Sequence, residues 1–242
     1  MMPTIETLYK ALEHTWPAAS HAQLGPWQIR DGQGGGKRVS AATLVGDLDP
    51  SVLVQAENEM QALGQGKLFM IRKGEDAFDA LLEEQGYEVI DPVNIYVGDV
   101  NPLAVQPPRT ASFAIWEPMA IQADIWNQGG IGPARLDVMW RVEGPRTSLF
   151  GRADSRPAAT GFVAVHEGVA MVHALEVLPR HRRSGMGRYL MQQAALWAQD
   201  NCARYISAVC TQENTGANGL YANLGMSLVG GYHYRQKQET TA

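Results

Sequence analysis

Arg182-Arg183-Ser184-Gly185-Met186-Gly187 stands between two unlike stretches of the chain. Before it runs Met171-Val172-His173-Ala174-Leu175-Glu176-Val177-Leu178, rich in β-formers and closed by Pro179. After it, Leu190, Ala194, Trp197 and Ala198 recur at helical spacing. The six residues therefore read as a glycine-bearing turn from a strand into a helix start. Unpaired backbone N–H groups point out of such a turn, and the helix dipole adds partial positive charge. Gly185 and Gly187 let an anion approach the backbone, and Arg180, Arg182, Arg183 and Arg188 add full charges. Two readings stand on this segment alone: a phosphate or pyrophosphate cradle, or an ordinary turn carrying a solvated basic patch.

The wider chain narrows the partners. Its 242 residues suffice for one large domain or two modest ones, and 45% hydrophobic with 19% charged residues is globular composition. A net charge of −5 argues against a nucleic-acid binder and leaves the arginine cluster as a local exception, suited to a small anion. Cys202 and Cys210 have no metal-ligand spacing, so no metal is expected. The first twenty residues lack a basic start and an apolar run, and residues 161–179 are interrupted by charge. The expectation is a cytoplasmic protein without a membrane span.

Along the chain, helices are expected at 4–16, 51–63 and 75–85, with strands at 67–72 and 88–97, the latter broken early by Pro92. Residues 27–30 and 38–44 read as a hairpin around the glycine run at 31–36. Arg38 stands where a phosphate-binding loop needs Ser or Thr, so the run reads as a hairpin tip. Pro102, Pro107 and Pro108 mark 101–109 as a linker between a domain at 1–100 and another at 110–238. The second domain reads as a strand at 112–116, helices at 119–127 and 133–141, three antiparallel strands, the opening turn with its helix, then strand, helix and strand to about 235. The last three elements repeat the pattern of 67–97, with Gly86 matching Gly225 and Leu82 matching Tyr221. A degenerate duplication is the favoured account.

Three features of the second domain combine: Leu175-x-Val177-x-Pro179, Arg182-x-x-Gly185-x-Gly187, and Asn214-x-x-Ala217-x-x-Leu220-Tyr221-x-x-Leu224-Gly225-Met226. In this order they resemble the GCN5-related N-acetyltransferase (GNAT) family, most densely over 171–226. The resemblance implies an α/β fold with a mixed, mostly antiparallel twisted sheet flanked by helices, here as a tandem of two GNAT-like halves. The half at 1–100 lacks the pyrophosphate loop. It implies acetyl-CoA as co-substrate, bound through Arg182, Arg183, Ser184, Gly185, Met186, Gly187 and Arg188 at the pyrophosphate. Leu175, Glu176 and Val177 would pair with the pantetheine arm on a strand splayed from its neighbour, and Asn214 would contact that arm or simply cap its helix. An amide near Val177 would hold the oxyanion. Tyr221 matches the family tyrosine that protonates the leaving thiolate.

The base is less defined. His173 lies four residues before Val177, and regular alternation puts those two on one face with Glu176 on the other. The run 173–177 also resembles that of arylalkylamine acetyltransferases, although Met171 replaces a second histidine of their proton path and Val209 replaces a glutamate found in other members. His173 reads equally as a core histidine, and Glu176 as a base or as a salt-bridge partner. Trp126, Trp140, Tyr232, His233 and Tyr234, with Asp124, Asp137 and Glu143, are candidates for the acceptor pocket. The expected function is transfer of an acetyl group to a primary amine on a small molecule or peptide, with a homodimer left open. The alternative is an acetyl-CoA-binding sensor without turnover.

Overall fold

The computed structural model describes residues 2–238. In chain order the elements are α1 (Ile5–Thr15), β1 (Ser20–Leu24), β2 (Trp27–Asp31), α2 (Lys37–Ser40), β3 (Thr43–Leu44), α3 (Leu53–Ala62), β4 (Leu68–Arg72), α4 (Asp76–Glu84) and β5 (Glu88–Asp99). There follow α5 (Val100–Leu103), β6 (Ser112–Ile115), α6 (Ala120–Gln128), α7 (Pro133–Arg141), β7 (Arg146–Ala153), β8 (Arg156–His166), β9 (Val169–Val177), α8 (Met186–Asp200), β10 (Tyr205–Thr211), α9 (Thr215–Asn223) and β11 (Ser227–Gln236). They form two compact units.

The first unit takes the chain up to Pro17 and then Ile95–Val229. Strands β6, β7, β8 and β9 form an antiparallel series, and β10 adds parallel to β9. The end of β5 lies beside β10, where Ser207 donates to the Tyr96 carbonyl at 2.7 Å. The parallel step needs a crossover, and α8 supplies it. Leu190, Met191, Ala194, Ala195 and Ala198 bury one stripe of α8 against Val163, Val172 and Leu149 of the sheet. On the other face lie α1 and α6. α1 is capped by Thr4, buries Leu8, Ala11, Leu12 and Thr15, and packs on β8 and β9.

The second unit takes Ala18–Asn94 and the chain from Gly230 on. Here β1, β2 and β3 form an antiparallel sheet, a parallel bridge joins Ala42 to Phe69 of β4, and β4 pairs antiparallel with the end of β11. Trp27, Phe69, Phe78 and Tyr87 meet at ring separations of 5.0 to 5.6 Å and fill its core. The order antiparallel trio, helix, parallel strand, helix, strand occurs in both units. α4 and α9 even end alike. Tyr87 N–H bonds to Leu82 O and Met226 N–H to Tyr221 O, with left-handed Gly86 and Gly225 in between.

Three expectations need correction. The first hairpin turns at Gly25-Pro26, between β1 and β2. The glycine run instead leads into the short α2, whose return reaches β2 only through the two-residue β3. Pro92 does not interrupt β5, which runs through it. The boundaries at 100 and 110 do not coincide with the compact units. α1 belongs with the later residues, and the chain passes between units inside β5 and β11. The start of the expected linker is α5, with Val100 and Leu103 buried in the first unit's core. Apolar burial, invisible to a composition count, sets these limits.

Two outcomes follow from this packing. Leu8, Leu12, Ile95 and Val97 are all buried. Burying each contributes about 1.5–3 kcal/mol, so together they rival the ~5–15 kcal/mol stability of a whole domain. A protein beginning at Asn101 is therefore expected to be insoluble or unfolded by circular dichroism; a soluble, cooperatively melting product would contradict the unit assignment. The second outcome concerns pH. The His14 and His166 rings stack at 3.8 Å, and burial, then the neighbouring His14, holds His166 below the ordinary histidine value, with Lys10 adding to this and Glu167 opposing it. The unfolded chain then binds more protons near pH 6, so this contribution is present above about 6.5 and is lost as pH falls through the lowered value. Melting temperature should drop between pH 7.5 and 5.5, and less steeply in His166→Gln; equal slopes would remove the histidine pair as the cause.

Candidate active site

The site of the first unit starts from an irregularity in β9. Phe162 pairs with His173 and Thr160 with Glu176, so Ala174 and Leu175 stand opposite the single residue Gly161. This is a β-bulge, and Ala174 adopts a left-handed φ of +49°. For a non-glycine residue that conformation costs about 1–2 kcal/mol. The Trp126 indole N–H donates to the Ala174 carbonyl at 2.7 Å, and such a bond contributes about 0.5–1.5 kcal/mol, the same order as the strain.

The bulge reverses the side-chain alternation expected from sequence. Directly paired residues share a face, so His173, Phe162, Thr160 and Glu176 lie together on the face of α1 and α6. Val172 and Val177, paired with Val163 and Ala159, lie on the α8 face. The expectation that His173 shares a face with Val177, and opposes Glu176, is thus overturned by one extra residue. His173 is 3% exposed, its Nε2 is 2.8 Å from the Thr15 hydroxyl, and its ring lies 5.0 Å from that of Trp16. Thr15 donates its own proton to Ala11 O, so Nε2 is the donor in the pair.

The expected splay is present. β9 and β10 pair from Val169 with Tyr205 to Val172 with Ala208, and the ladder goes no further. Leu178 N–H donates to Ala158 O, toward β8. By alternation the N–H and C=O of Val177 point away from β8, into the gap, while those of Glu176 turn back toward β8. Arg182 Nε donates to the Val177 carbonyl at 3.0 Å, and its Nη2 meets Glu176 Oε1 at 3.1 Å. The Glu176 side chain rests on Gly129, where an added Cβ would come within 2.6–2.7 Å of it.

Beside this gap α8 begins. Gly185 is its N-cap with a left-handed φ of +86°, a conformation that glycine adopts without penalty, and no side chain caps the helix. Arg183 also has positive φ, at +62°, and Ser184 donates to His181 O. Arg182, Arg183, Ser184, Gly185 and Arg188 are exposed, and Met186 is buried in the core. At Gly187 a Cβ would sit 3.0 Å from Leu220 of α9, so the lack of a side chain lets the two helices approach. Cationic side chains around amides with no capping side chain fit an anionic group.

α9 supplies the opposite wall. Asn214 caps it, accepting from Ala217 N–H at 3.0 Å. Tyr221 is buried, its ring 5.5 Å from that of Tyr96. Two residues that sequence reasoning missed organise this end. Asn218 donates to Thr211, Gln212 and Asn214 carbonyls, and Tyr96 donates to Asn218 Oδ1 at 2.9 Å. The signal for Asn218 was a second asparagine one helical turn after the cap. Burial pushes the Cys210 thiol up to about 11, which keeps it protonated and a poor nucleophile at neutral pH.

The acceptor candidates disperse. Trp126 is fully buried beneath the bulge. Trp140 is exposed and packs 4.9 Å from Trp116, over which Arg146 lies at 4.8 Å. Asp124, Asp137 and Glu143 are exposed on the first unit. Tyr232, His233 and Tyr234 belong to the second unit, where both tyrosines are buried and His233 pairs with Asp79 at 2.8 Å.

The sequence pattern of the Acetyltransferase (GNAT) family matches residues 115–226, the stretch that holds the bulge, the gap and the uncapped helix. This stretch of the chain is similar to the GNAT family of acetyltransferases. A relative from Bacillus subtilis (strain 168), described as uncharacterized N-acetyltransferase YobR, is 25% identical over 98% of this chain and all of its own. A GCN5-related N-acetyltransferase from Kribbella flavida shares the fold with a TM-score of 0.72 at 17% identity, over 100% of this chain and 98% of its own. A tandem GNAT protein from the clavulanic acid biosynthesis pathway aligns with a TM-score of 0.64 at 11% identity, over 96% of this chain and 87% of its own. Among the described residues, no helix is long and apolar enough to cross a membrane.

Proposed function

We propose that this chain transfers the acetyl group of acetyl-CoA directly to a primary amine, and that the parting of β9 from β10 beside the uncapped start of α8 carries this reading. The backbone amides at 185–188 and the side chains of Arg183 and Arg188 hold the pyrophosphate. The strand edge of Leu175 and Val177 pairs with the amides of the pantetheine arm, as an added strand would. Val177 N–H, aimed into the gap, donates to the thioester carbonyl as negative charge develops on its oxygen. Tyr221 protonates the departing thiolate.

A primary ammonium must lose a proton before it attacks. Glu176 takes that proton, directly or through water, once Arg182 turns from it toward the pyrophosphate. His173, packed under α1 and bonded to Thr15, supports the strand rather than touching the amine. The amine nitrogen then bonds to the acetyl carbon and loses its second proton, the carbon–sulfur bond breaks, and the sulfur leaves as the thiol with the Tyr221 proton, which that second proton replaces. Cys210, protonated, has no part as a carrier.

The second unit fits a copy of the same fold that has lost its cradle. Where α8 is left open, the turn before α3 carries Asp49, whose carboxylate accepts from Ser51 N–H at 3.0 Å. An internal anion fills the place of a phosphate, so one CoA per chain is the proposed stoichiometry.

Thiol release across a panel of amines tests the activity. Release with at least one amine supports turnover, whereas tight CoA binding without release from any acceptor would favour a sensor. In Gly185→Trp the side chain and the strained φ should weaken CoA binding at least tenfold with the circular dichroism spectrum unchanged; unaltered affinity would sink the cradle. Tyr221→Phe should lower kcat at least tenfold while CoA affinity stays within about threefold. Equal turnover would leave Tyr221 as packing.

A further inference from the structure

Trp126 stood out in the sequence as a candidate for the acceptor pocket, yet it is fully buried and bonded to the Ala174 carbonyl at 2.7 Å. Its helix is fixed to the sheet by a second buried polar side chain. Gln122 is 0% exposed and donates from Nε2 to Ser148 Oγ at 3.0 Å, Leu149 O at 3.2 Å and Thr160 Oγ1 at 3.2 Å. Gln122 and Trp126 are four residues apart, so they project from one face of α6. One holds β7 and β8, and the other holds the bulge of β9. At the C-terminal end of the same helix, Gly129 lies against the Glu176 side chain. Thus α6 contacts β9 on both sides of Leu175.

We propose that Trp126 is a positioning residue for acetyl transfer: its indole N–H selects the left-handed bulge at Ala174 and so aims the backbone of Leu175 and Val177 into the gap. This rests on the reading of that strand edge as the site of thioester binding. Alanine disfavours φ of +49°, and Gly161 opposite gives the bulge no side chain to lean on. Without the indole donor, Ala174 relaxes toward ordinary strand geometry. A regular register would move Val177 one place along β8 and turn its N–H toward Ala158 rather than into the gap. The buried Gln122 anchor makes the bond directional, because α6 cannot follow a relaxing β9 without breaking three hydrogen bonds. Phenylalanine at 126 would keep most of the ring volume and lose only the donor.

The test compares Trp126→Phe with Trp126→Phe/Ala174→Gly. In the single variant kcat for thiol release should fall at least tenfold. Affinity for CoA, held largely by the turn at 183–188, should change less than threefold. Amide hydrogen exchange at Glu176, whose N–H turns toward β8, should accelerate at least tenfold, a readout that needs no turnover. Glycine adopts a left-handed φ freely, so the double variant should recover at least a third of the lost kcat and most of the exchange protection. A merely space-filling Trp126 would show no such recovery. Unchanged kcat and exchange in a folded Trp126→Phe would overturn the proposal, as would a loss that Ala174→Gly leaves untouched. If wild-type protein releases no thiol, the function reading fails while the exchange comparison still decides the role of Trp126.

Discussion

A single alanine held at positive φ governs the arrangement of the first unit. The bulge at Ala174 and Leu175 inserts one residue into β9, and every side chain after it changes face. Glu176 thereby joins His173, Phe162 and Thr160, while Val177 joins the apolar face under α8. Past Val172 the strand no longer pairs with β10, and its exposed edge comes to lie beside the open start of α8. An unpaired strand edge is ordinarily a liability for association. Here it is short, flanked by Arg182, and set within the sheet.

Much of this was legible in the chain. Runs of β-formers set off by turns predicted the antiparallel strands of 146–177, and the 3.6-residue period after Gly187 predicted α8. Gly225 foretold the end of α9, because a left-handed cap favours glycine. The cradle turn was visible through its glycines and arginines, and the two neighbouring motifs pointed to the family that the comparisons then matched.

What escaped the sequence has a common physical origin. Ala174 carries no conformational signal for positive φ, so straight alternation through it groups His173 with Val177 instead of with Glu176. Trp126 looked like a pocket aromatic because indole chemistry is the same for recognition and for holding a carbonyl. The limits of the units were hidden because α1 and the end of β5 are tied to later residues by burial of Leu8, Leu12, Ile95 and Val97, contacts far apart in the chain. The prolines at 102, 107 and 108 signalled a break in regular structure, which is a weaker statement than a domain boundary.

The central claim is that the edge of β9 and the start of α8 form one CoA site. Titrating the isotope-labelled protein with CoA, and following backbone amide resonances, tests it most directly. The account predicts that the largest shifts fall on 175–177 and 183–188, saturating together with one equivalent. Shifts centred on the second unit, or saturation at two equivalents, would contradict it.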